Sequence, residues 1–189
     1  MRFFSKLVTS LPLIAGICCT TSAAAIRRAV DSDNLTGSLH DLAGMSQNVT
    51  EVLYHCKEED RDDHFYQDLV IEHLTELTQN THDLDIAMEG TQAFTSEAAQ
   101  QQVCDSYDSL VTTQKETMDA FVEKGFFRIT DAGGQIESLL EELDGAEDTL
   151  GSKLINAVPF CADAATDDKK NLDTAVKKAI CVFKFGKNC

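Results

Sequence analysis

Cysteines, histidines and carboxylates are the residues of this chain best suited to chemistry, and only the cysteines form a usable pattern. Of the 7 cysteines, Cys18 and Cys19 sit in an apolar N-terminal run. Cys56, Cys104, Cys161, Cys181 and Cys189 remain for the folded part. No C-x-x-C pair occurs, so zinc ligation and redox catalysis have no motif to use. His40, His55, His64, His73 and His82 lack metal-ligand spacing. The last three recur at intervals that turn about 180° around a helix, which scatters them as surface groups. No G-x-S-x-G, H-E-x-x-H or phosphate-binding glycine loop is present. Carboxylates abound, but a glycosidase pair needs a cleft that this pattern does not announce. We expect no catalytic residue, no metal ligand and no cofactor: a non-enzyme.

The elements that could position anything else begin after the N-terminus. Arg2 and Lys6 precede the run "LVTSLPLIAGICC", which gives way to "TTSAAA". A basic start, a short apolar stretch and an A-x-A ending at Ala25 read as a secretory leader over residues 1–25. Arg27-Arg28 is either a dibasic trimming site, giving a start at Ala29, or a stray basic pair. The run is too short for a comfortable transmembrane helix, and no later stretch is long enough. Residues 29–189 then form a single domain, secreted to the extracellular space. The formal charge of −16 excludes nucleic acid and anionic membrane surfaces as partners, since phosphate binding needs clustered Lys and Arg. "CKEEDRDDH" reads as a solvated turn without calcium-loop order. Two sequons, at Asn34 and Asn48, become glycosylation candidates in a secreted chain.

Apolar residues recur at three-and-four spacing throughout, and period-two alternation is nearly absent. The expected fold is all-α, an up-and-down bundle of about five amphipathic helices stapled by disulfides. Leu42 and Val49 mark the buried stripe of the first helix, Leu77 the second and Leu110 the third. Leu139, Leu143, Leu150 and Leu154 mark the fourth and Val176 the fifth. These would line the interior. Asp31 or Ser32 caps the first helix, Thr95 or Ser96 the third, and Thr166 opens the fifth.

Short connections make consecutive helices antiparallel neighbours. Tyr54, Phe65, Tyr66, Phe121, Phe126, Phe127, Phe183 and Phe185 then lie at or near one end. They either cap the core under the loops or form a contact patch for an apolar ligand. At least one of Phe126 and Phe127 should be partly exposed, provided helix geometry persists through Gly125. The same topology pairs Cys104 with Cys161 at one end and Cys56 with Cys181 at the other, Cys189 being an alternative partner there. The remaining thiol, Cys189 in the first pairing, is free or bridges two chains.

The second half carries a further pattern. "LVTTQKETMDAFVEKGFFRITDAGGQIESLLEELDGAEDTLGSKLINAVP", followed by "NLDTAVKKAICVF", resembles the fungal hydrophobic-surface-binding protein A family, which includes cell-wall galactomannoproteins. The matching features are a Lys-containing helix ending in Phe near Gly125, a leucine-spaced helix, and Leu154-Ile155 before Val158-Pro159. A last helix with Ala179-Ile180 and an aromatic completes the match. The first half fits in length and apolar spacing alone, and the five cysteines depart from a family in which cysteine is scarce. The resemblance implies a secreted bundle that binds hydrophobic surfaces or holds fatty-acid-like lipid between helices, often as a cell-wall glycoprotein. The acidic surface and spare cysteine also suit a different class, an effector or inhibitor that binds a secreted hydrolase or a host protein.

Overall fold

Capping and apolar spacing set where the helices lie. The computed structural model describes residues 30–60, 63–186 and 189. The expected leader and the Arg27-Arg28 pair lie outside the described residues. Five helices follow: α1 (Ser32–His55), α2 (His64–Ala87), α3 (Glu97–Glu123), α4 (Gly133–Ala157) and α5 (Ala162–Phe185). The Asp31 carboxylate accepts the Asn34 N–H at 2.8 Å, and Asp63 accepts that of Phe65 at 2.9 Å. Ser96 caps α3 through the Ala99 N–H. Each side chain satisfies an amide that the first helical turn leaves unpaired.

Two boundaries differ from expectation. α5 starts at Ala162 rather than at Thr166, because Pro159 opens a 3-10 turn (Pro159–Cys161) that runs straight into it. Proline's fixed φ suits that first position. Thr166 instead donates its hydroxyl back to the Ala162 carbonyl at 2.6 Å. The second difference is after α3, where a 3-10 turn (Gly125–Ile129) replaces continued α-helix. The tighter turn swings Phe127 into the core. A Cβ on Gly133 would lie 2.5 Å from the Arg128 carbonyl oxygen, so only glycine lets α4 start against this turn.

Directions alternate along the chain, but neighbours in sequence are not all neighbours in space. Around the bundle the order is α1, α3, α5, α4, α2 and back to α1. The segments 88–96 and 124–132 are long enough to cross an end, so α3 packs on α1 and α5, while α4 packs on α2 and α5. The result is a closed ring around one apolar core. Leu42, Val49, Leu77, Leu110, Leu139, Leu143, Leu150, Leu154 and Val176 are all buried in it.

This ring order corrects the cysteine expectation. Cys104 is bonded to Cys161, with Cα atoms 6.6 Å apart, but the second bridge joins Cys181 to Cys189. Cys56 is a free, buried thiol. It ends α1, whose neighbours are α2 and α3, whereas Cys181 is on α5 beside Glu141 and Asp144 of α4. The two never face each other, so the Cys56–Cys181 pairing fails and Cys189 is not the spare thiol.

Candidate functional site

Four of the five seams of the ring carry a polar cross-link. Between α1 and α3, the buried Thr50 and Thr117 hydroxyls meet at 2.8 Å, and Thr117 also reaches the Ser46 carbonyl at 3.0 Å. Lys124 donates to the Cys56 carbonyl at 3.0 Å. Between α3 and α5, Lys178 lies 3.5 Å from Asp119, and the Cys104–Cys161 bridge ties α3 to the start of α5. Lys169 pairs with Asp148, and Lys184 with Glu141, between α5 and α4. Lys153 sits 2.7 Å from the Asp85 carboxylate, joining α4 to α2.

The α1–α2 seam is different. Among the described residues other than Gln67, no disulfide, ion pair or side-chain hydrogen bond joins these helices. Two open grooves lie along it. The upper one, about 490 Å³, is lined by Asn48, Glu51, Val52 and His55 of α1 and Tyr66, Leu69 and His73 of α2. The lower one, about 270 Å³, includes Leu42 and Met45 facing Leu84 and Ala87. Apolar side chains such as Leu42, Met45, Leu84 and Ala87 pack along the seam.

The aromatic residues divide by burial. Phe121, Phe127 and Phe183 are core, with the Phe121 and Phe183 rings edge-to-face at 5.9 Å between centroids. Phe126 is half-buried, its ring 4.9 Å from that of Phe127, and it borders a groove of about 320 Å³ with Ile129 and Val182. Tyr66 is half-buried in the α1–α2 groove. Tyr54, Phe65 and Phe185 are exposed, as is Ile129, which was not singled out in the sequence. All four lie at the end where α1 stops, α2 starts and α5 stops. Phe160 and Ile86, the other exposed large hydrophobics among the described residues, are at the opposite end.

Sequence reasoning missed two polar residues inside the ring. Glu147 is 6% exposed and Gln114 is 1% exposed, and none of their four side-chain polar atoms has a hydrogen-bond partner in the protein. The signal was in the spacing: Leu140, Leu143, Glu147, Leu150 and Leu154 form one stripe on α4. Burial pushes the Glu147 carboxyl well above the usual glutamate range, and Asp144 and Asp173 push it further. Burial, then Glu147, likewise raises the Tyr107 phenol. Burial also raises the Cys56 thiol, which favours the unreactive protonated form.

No protein-family model and no curated protein sequence matches the chain. Solved structures do. The chain has the fold of Afmp4p. That protein, whose crystal structure is in complex with palmitic acid, superposes with a TM-score of 0.70 at 20% identity, over 81% of this chain and 99% of its own. Ligand-binding domain 2 of the Penicillium marneffei MP1 protein, complexed with multiple arachidonic acids, covers 79% of this chain and 96% of its own. Its TM-score is 0.45, at 15% identity.

Both sequons present an exposed asparagine: Asn48 borders the upper groove, and Asn34 donates its amide to Asp31. Four of the five histidines are exposed and His73 is half-buried. Among the described residues, no cluster of three or more His, Cys, Asp or Glu could hold a metal. No described helix is long and apolar enough to cross a membrane.

Proposed function

We propose that this chain is a secreted, non-enzymatic lipid binder that takes the acyl chain of a fatty acid into its core by parting α1 from α2. The observation that carries this reading is the α1–α2 seam, crossed by no ion pair or disulfide among the described residues and lying over an apolar core. The fold shared with a protein crystallised with palmitic acid supports it. So does the lining of the interior, which is mostly Leu and Val, as in sites that hold apolar ligands.

The energetics favour such a route. The core is packed, so an acyl chain enters only if helices move. Burying a CH₂ group yields about 0.8 kcal/mol, so a long acyl chain offers on the order of 10 kcal/mol to offset that movement. The disulfides do not oppose it, because Cys104–Cys161 and Cys181–Cys189 both lie away from α1 and α2. Tyr54, Phe65, Ile129 and Phe185 would meet an uncharged hydrophobic surface beside the upper groove. Glycans on Asn34 and Asn48 and a place in a cell wall are part of the same proposal.

Native mass spectrometry of delipidated protein incubated with palmitate tests the reading. A complex carrying bound palmitate is expected. Protein that stays free of lipid at saturating palmitate would refute it.

A further inference from the structure

A buried carboxyl with no partner is costly to keep. An unsatisfied buried polar group is destabilising, and a charged one more so. Glu147 nevertheless occupies the middle of the leucine stripe of α4, where a leucine would fit the pattern. Gln114 repeats the anomaly on α3. Tyr107 adds a third polar group: a Cβ on Gly151, one turn below Glu147, would lie 2.8 Å from its hydroxyl. With a rise of about 1.5 Å per residue, the Tyr107 hydroxyl lies roughly 6 Å below Glu147, and the Gln114 backbone is on the order of 10 Å above that of Tyr107. Glu147 and Gln114 differ from the other polar groups inside the ring, such as the paired Thr50 and Thr117, in having no hydrogen-bond partner in the protein.

The surrounding charges decide what these polar groups can accept. On α4 itself stands Asp144. From α5 come Asp173, with Lys169 held by Asp148 and Asp173, and Lys177 near Asp173. From α3 comes the Tyr107 phenol. On α2 are the exposed His82 and the half-buried Asp85, the latter paired with Lys153. Arg128, in the 3-10 turn after α3, is exposed at the upper end. No unpaired cation among these faces Glu147, so a carboxylate placed beside it would meet acids. A hydroxyl or a protonated carboxyl would instead both donate to and accept from these groups.

We propose that Glu147 and Gln114, with the Tyr107 hydroxyl, are the internal station for the polar end of an uncharged lipid. That lipid is a long-chain alcohol or a fatty acid in its protonated form, in preference to a carboxylate. This inference rests on the lipid-binding reading above and narrows its ligand class.

Displacement of a fluorescent acyl probe from the full chain tests it, with hexadecane, hexadecanol and palmitate as competitors at pH 8. Wild type should bind hexadecanol about tenfold more tightly than palmitate, a difference of about 1.4 kcal/mol. Glu147→Gln keeps a neutral hydrogen-bonding group and removes the ionisable acid that a bound carboxylate would crowd. It should strengthen palmitate binding about tenfold and leave hexadecanol within about twofold. Glu147→Leu should weaken hexadecanol and leave hexadecane unchanged, with circular dichroism reporting the fold. Equal affinity of wild type for hexadecanol and palmitate, unmoved by Glu147→Gln, overturns the station while lipid binding stands. If hexadecane, hexadecanol and palmitate all fail to displace the probe, the lipid-binding reading fails, and the station with it.

Discussion

The α3–α5–α4 side of the ring carries a disulfide, several ion pairs and a buried phenylalanine cluster, whereas among the described residues no ion pair or disulfide joins α1 to α2. Both regions are made of amphipathic helices of similar length. The contrast shows that helix content does not decide which part of a bundle can open. Cross-links across the seams do. A protein that must admit a chain into a packed core needs one face that stays intact and another that yields.

Perturbations of the latched side should be the most damaging. Phe127 is 0% exposed and seals the turn over α4 and α5. Phe127→Ala should cost about 3–5 kcal/mol in urea denaturation. Phe126→Ala, at the half-buried neighbour, should cost visibly less. Equal losses would break the division between core seal and groove lining.

Next comes the disulfide. Cys104→Ser opens a loop spanning 57 residues, which the chain-entropy model values at about 4 kcal/mol. The Cys181–Cys189 bridge closes a separation of only 8, and its loss should cost about 2–3 kcal/mol. Thermal unfolding of the two variants, compared side by side, checks the order.

Glu147→Leu should act in the opposite direction, raising stability at neutral pH by about 1–3 kcal/mol because an orphan buried group is removed. The folded chain holds the Glu147 proton where the unfolded chain has released it. Wild-type stability therefore falls as pH rises from the ordinary glutamate value of 4.5 towards the raised folded value. The leucine variant should lack that part of the fall. Melting temperatures of both proteins across pH 4–8 supply the test; parallel curves would show that Glu147 is not the group responsible.

The smallest effect on stability belongs to the seam. Glu51 and His73 both line the upper groove. His73→Lys sets an ammonium opposite Glu51, a surface pair worth about 0–1 kcal/mol. Melting should barely change, while stopped-flow uptake of a fluorescent fatty acid should slow. Unchanged uptake would argue that lipid takes another route.

Much of this arrangement was legible from residue spacing. The leucine stripes named the interior residues, Ser96 and Asp31 announced helix starts, and the glycines after α3 marked its end. Ring order was not legible, because it depends on how segments 88–96 and 124–132 cross the bundle ends. The Cys56 assignment failed for that reason alone. Phe127 turned inward because a 3-10 turn changes the rotation per residue, which helical periodicity cannot register. Glu147 could have been found: a lone glutamate between Leu143 and Leu150 on one stripe is a buried acid by position. That no ion pair or disulfide joins α1 to α2 among the described residues was invisible, since an absent pair leaves no motif.

Hydrogen–deuterium exchange of the delipidated protein, with and without palmitate, tests the central claim most directly. In the free protein, α1 and α2 amides should exchange faster than those of α3, α4 and α5. Palmitate should slow exchange most along the seam, around Asn48–Val52 and Leu69–His73. Uniform exchange across the five helices, or protection by palmitate confined to α4 and α5, would contradict it.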